Sequence, residues 1–107
     1  MDLKLSMAIA RAKRKIQQIS REYCRRAEVV SFGATDINPR HLAFWIISQT
    51  DKERERMRST PKLVATFRQE LLASGYPSDA VPQVGFEFES RETVDREYDG
   101  NLWYAMK

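Results

Sequence analysis

Apolar residues recur at Leu5, Ile9, Ala12, Ile16, Ile19 and Tyr23, spacings of four and three that place them on one stripe of a helix. Arg11, Lys13, Arg14, Lys15 and Arg21 fall mainly off that stripe, and no Pro or Gly interrupts residues 3 to 25. The pattern predicts a basic amphipathic helix within residues 1–27, built from good helix formers. The spacing also suits a coiled-coil seam, but a short stripe containing alanines fits docking on a sheet better.

The pattern then changes. Glu28-Val29-Val30-Ser31-Phe32 and His41-Leu42-Ala43-Phe44-Trp45-Ile46-Ile47-Ser48 are rich in β-branched and aromatic residues. Gly33 and the polar run Asp36 to Arg40 separate them, and Pro39, which has no N–H for a ladder, belongs to the connection. Residues 28–49 therefore read as a β-hairpin. The second strand is apolar on consecutive positions, which predicts burial on both faces or a central place in the sheet.

Thr50-Asp51-Lys52-Glu53 has the form of a capping box, and Thr60-Pro61 restarts the helical pattern after a break near residue 59. Val64, Phe67 and Leu71 form the expected stripe, flanked by Leu63 and Leu72, and Gly75 and Pro77 close it. Residues 51–75 are thus a broken helix. Val84, Phe86 and Phe88 alternate with Gly85, Glu87 and Glu89, a half-buried strand with an acidic outer side.

Residues 91–98 admit two readings, a short helix capped by Ser90 or a strand turning at Asp99-Gly100. The helix is preferred, because Val94 and Tyr98 then share a face and the early acids suit the helix dipole. Leu102 to Met106 reads as a last strand. The order α-β-β-α-β-(short α)-β predicts one α+β domain over residues 1–107. Its sheet should be four-stranded and mostly antiparallel, with helices packed on one face.

Composition sharpens this reading without redirecting it. The chain has 107 residues, 42% of them hydrophobic and 31% charged, with a net charge of +3, as expected of a single folded domain. No run reaches the roughly 18 apolar residues of a bilayer-spanning helix, and Leu3 to Ala10 is too interrupted for a signal-peptide core. The single cysteine, Cys24, has no internal partner, which fits a reducing compartment; the cytoplasm is the expected location. The charge is polarised. Lys4, Arg11, Lys13, Arg14, Lys15, Arg21, Arg25 and Arg26 crowd the first thirty residues, whereas Glu87, Glu89, Glu92, Asp95, Glu97 and Asp99 dominate the last twenty-two.

Reactive groups do not converge. His41 beside Asp36 is the one pairing with acid–base character, but both flank a proline turn, where Asp and Asn ordinarily bond local backbone. No nucleophile elbow accompanies them, and all four glycines stand apart, so no phosphate loop is expected. One Cys and one His cannot anchor a metal site, and no cofactor is expected. Cys24 beside Arg25 and Arg26 could have a lowered pKa, but a small buried helix residue is the commoner outcome.

The expectation is a non-catalytic protein–protein interaction module, adaptor- or immunity-like in its mode of action, which binds another protein or its own copy. Its expected surface comprises Arg11, Arg14, Lys15, Arg21, Arg25, Asp36, Arg40 and His41. The alternative is a nucleic-acid-binding domain that lays the basic helix along a phosphate backbone. The acidic residues interleaved with Phe86 and Phe88 oppose that alternative. A membrane-surface role is weaker still, because the helix stripe lacks bulky aromatic anchors.

Overall fold

The computed structural model describes residues 3–105. Met1 and Asp2 of the expected first helix, and Met106 and Lys107 at the end of the expected last strand, lie outside the described residues. The elements run α1 (Leu3–Ser20), β1 (Glu28–Phe32), β2 (Ala43–Ser48), α2 (Asp51–Arg58), α3 (Pro61–Ala73), β3 (Gly85–Ser90), α4 (Arg91–Glu97) and α5 (Leu102–Ala105), with 3-10 turns at Pro39–His41 and Val81–Gln83. The fold is α+β.

The sheet has three strands in the order β1-β2-β3 and is mixed. β1 pairs antiparallel with β2, Val30 opposite Trp45, and β3 pairs parallel with β2, Phe44 opposite Phe86. β2 is central, as its unbroken apolar run implies. The four-stranded, mostly antiparallel sheet expected from the sequence is not formed, because the last segment is helical. Asp99 (φ 51°) and Gly100 (φ 75°) both adopt left-handed backbone. They end α4, with the Gly100 N–H bonding back to the Val94 carbonyl at 3.0 Å. Asn101 Oδ1 then accepts from Trp103 N–H at 3.0 Å and starts α5. A dipeptide that commonly turns a hairpin here closes a helix.

The alternating pleat divides the sheet into two faces. Val29, Phe44, Ile46, Phe86 and Phe88 lie on the inner face and join Leu5, Ala8, Ala12 and Ile16 of α1, Met57 of α2, and Leu63, Phe67 and Leu71 of α3 in one core. Phe86 stacks on Phe44 with ring centroids 5.5 Å apart, and Phe67 leans on Phe86 at the same distance. In α3 the stripe runs through Leu63, Phe67 and Leu71, while Val64 is only half-buried and Leu72 is exposed. It is rotated by one residue from the sequence reading at its start.

α1 stops at Ser20, earlier than the sequence pattern suggests. Ser20 Oγ donates back to the Ile16 carbonyl at 2.7 Å, and the chain tightens into i→i+3 bonds from Glu22 and Tyr23. The Arg56 guanidinium takes the Tyr23 carbonyl and lies 6.0 Å over the Tyr23 ring, closing the helix end from another element. Both halves of the Thr50/Glu53 capping box are formed at α2. Pro61 opens α3 as expected, but Thr60 Oγ1 bonds the Arg56 carbonyl and does not cap. Gly75 (φ 93°) ends α3 with Tyr76 N–H bonded to the Leu71 carbonyl at 3.1 Å.

Candidate interaction surface

The connection between β1 and β2 is held as a rigid arch. Gly33 has φ 122°, and a Cβ there would lie 2.0 Å from the His41 carbonyl oxygen, so only glycine lets the two ends of the arch meet. Asn38 Oδ1 accepts from Arg40 N–H at 2.9 Å and caps the 3-10 turn. From the far side the buried Tyr76 donates its hydroxyl to the Pro39 carbonyl. His41 and Asp36 are exposed, and Arg40 makes a 4.0 Å surface ion pair with Asp79.

The remaining expected surface residues divide. Arg11 is exposed but donates one N–H to the Ser74 carbonyl at 2.8 Å, tying α1 to the end of α3. Arg21 reaches the Ala27 carbonyl at 3.4 Å. Arg14, Lys15, Arg21 and Arg25 are exposed as well. Arg14 and Arg21 help line a depression of about 350 Å³ on α1, together with Lys13 and Gln17, whereas Asp36, Arg40 and His41 belong to the arch. Arg11, Arg14 and Lys15 therefore lie on α1, Arg21 and Arg25 on the segment that follows it, and Asp36, Arg40 and His41 on the arch.

Two features were missed in the sequence. The first is the outer face of the sheet, where Val30, Trp45, Ala43 and Gly85 are only half-buried and Phe32 is 38% exposed. The Phe32 and Trp45 rings lie 6.4 Å apart at 58°, an exposed aromatic pair. Glu28 and Glu87 are exposed on the same face. Near Ile47, Glu28 binds Arg91 at 2.8 Å, crossing from β1 to the end of β3. Period-two alternation in β1 and β3 signalled this face, but the consecutive apolar run of β2 suggested that it would be covered.

The second is a polar lock at the C-terminal ends of the parallel strands. The Asp51 carboxylate accepts from Ser90 Oγ at 2.5 Å, Thr93 Oγ1 at 2.6 Å and Arg96 at 3.0 Å. Arg54 binds Glu89 at 3.1 Å and Thr93 Oγ1 at 2.8 Å. The hydrogen bonds from Ser90 and Thr93, with Arg96 adding, hold the Asp51 carboxyl well below the usual carboxylate range. Burial disfavours charge on Arg54, but its bonds to Glu89 and Glu55 outweigh it and raise the pKa. Each of these groups is paired with another, so the cluster fastens α2 to α4 and presents no spare reactive atom. Ser90 as the cap of α4 was legible in the sequence; its second bond, to Asp51, was not.

Cys24 is buried and unpaired, and burial pushes its thiol up, away from the reactive thiolate. Among the described residues no cluster of His, Cys, Asp and Glu could hold a metal ion, and no helix is long and apolar enough to cross a membrane. No family model, curated protein or solved structure matches this chain.

Proposed function

We propose that this protein is a non-catalytic binding module that docks another protein on the outer face of its sheet. The supporting observation is the Phe32–Trp45 pair, two large aromatics left partly in water on an otherwise ordered sheet. Aromatic residues that remain solvated on a rigid scaffold are the usual anchors of protein interfaces. The arch fixed by Gly33, Asn38 and Tyr76 presents the exposed Asp36, Arg40 and His41 at the end of the β1–β2 pair as further polar contacts. The unpaired Cys24 fits work in the cytoplasm.

The test replaces Phe32 with the photo-crosslinking residue p-benzoylphenylalanine and identifies the attached molecule by mass. The captured protein is then purified and titrated against the wild type and Phe32→Ser. The expected outcome is loss of about 2 kcal/mol or more of binding free energy in Phe32→Ser, with unchanged thermal stability. Absence of any protein adduct, or equal affinity for both forms, would sink the proposal.

A second reading, nucleic-acid binding through α1, is favoured by Arg14 and Lys15, which are exposed and carry no ion pair among the described residues. It predicts retention on poly-U that falls steeply with added salt. Arg11 and Arg21 are exposed as well, though each gives one donor to a carbonyl of the chain itself.

A further inference from the structure

The two edges of the sheet are not equivalent. At β3 the Arg58 guanidinium donates to the Phe88 carbonyl at 3.0 Å, and Arg68 donates to Val84 at 2.9 Å while lying 5.1 Å over the Phe86 ring. These side chains occupy the edge that another strand would need, a common defence against unwanted pairing. Among the described residues β1 has no such guard. The Gly85 N–H bonds the Leu42 carbonyl, so the even-numbered residues of β2 face β3 and the odd-numbered ones face β1. Glu28, Val30 and Phe32 thus spend their backbone groups on β2, and those of Val29 and Ser31 point outward. No hydrogen bond from the described residues reaches these outward groups.

The surroundings of this edge indicate what it accepts. Ser6 and Ile9 of α1 share a small cavity of about 220 Å³ with Ser31, Phe32 and Thr35, while Arg21 touches Ala27 at the other end of the strand. One side of α1 therefore runs the length of β1, and at helical spacing from Ile9 it presents half-buried Lys13 and Gln17. Lys13 has no ion pair among the described residues. On the opposite face the edge is bordered by Val30 and Phe32. A strand added here meets cations on one face and, past the Glu28–Arg91 pair at the start of β1, apolar side chains on the other.

We infer that β1 is a strand-addition site for an extended segment of another protein in which acidic and apolar residues alternate. The carboxylates would face Lys13 and Arg21, and the apolar residues would extend the Val30–Phe32–Trp45 surface. A second copy of this chain is a poor occupant, because antiparallel β1–β1 pairing would set two basic α1 helices side by side. This inference rests on the protein-docking reading above and specifies its geometry.

The probe is a short synthetic peptide of alternating valine and glutamate, blocked at both ends, titrated by Trp45 fluorescence in a Trp103→Phe background. Amide exchange is followed by NMR. Saturable binding should protect the Val29 and Ser31 amides, and the valine–lysine counterpart should not bind. Ser31→Pro removes an outward N–H without touching the ladder to β2, and Lys13→Glu reverses the charge facing the peptide. Each should weaken binding at least ~10-fold, the equivalent of one lost charge-assisted or backbone hydrogen bond. Lys13→Glu leaves the strand intact and decides the matter if Ser31→Pro fails to fold. Undetectable binding, equal affinity in Lys13→Glu, or protection of β3 amides instead would overturn the inference. A protein crosslinked at residue 32 that leaves Val29 and Ser31 exchanging freely would defeat strand addition alone, whereas no crosslinked protein would defeat the broader reading.

Discussion

Gly33 has the strictest requirement among the four glycines. Its φ of 122° is a region L side chains rarely adopt, and the His41 carbonyl occupies the space of a Cβ. Gly33→Ala should lower stability by at least about 2 kcal/mol in urea denaturation, since strain and clash must both be relieved by opening the arch. A substitution at the exposed His41 that keeps its backbone should fall within about 0.5 kcal/mol of wild type. The contrast is between backbone and side chain along the polar run Asp36 to His41. Its backbone is constrained, while the Asp36 and His41 side chains are exposed to solvent.

Among the elements, the joint between α2 and α4 carries the clearest dependence on pH. Asp51 is held ionised in the fold below its unfolded value of about 3.9. Its contribution is therefore complete above about pH 4 and is lost as the pH falls further toward the folded value. Asp51→Asn should flatten the stability profile between about pH 4 and pH 2, measured by chemical denaturation at each pH. A profile as steep as the wild type's would show that other carboxylates govern acid unfolding. Helices were the most legible elements in the sequence, because stripes and caps are local: the Leu5–Ile16 stripe, the Thr50/Glu53 box and Ser90 all act as read. What was not legible depended on distant partners. The early end of α1 is completed by Arg56 from another helix, and the Asp51–Ser90 bond joins residues 39 positions apart. The last segment was misread because Asp99-Gly100 serves hairpins and helix ends alike, and only Val94 and Asn101 decide which. Basic charge could be counted along α1, but the bond from Arg11 to Ser74 depends on where α3 lies.

For the molecule as a whole, connectivity matters more than composition. The antiparallel β1–β2 pair is closed by the ten-residue arch at residues 33–42, whereas β3 reaches β2 only after the two helices α2 and α3 have intervened. Closing the second pairing costs more chain entropy and follows the slower route that parallel contacts impose. The arch pair with α1 should therefore form the folding nucleus, and β3 should dock late. In stopped-flow refolding, Val29→Ala should mainly slow folding, while Phe88→Ala should mainly speed unfolding. Until β3 arrives, β2 is itself a bare edge, and the arginines that guard the finished sheet have nothing to guard. The nascent chain is thus most prone to aggregate before Phe88 is in place, although the finished fold shields that side.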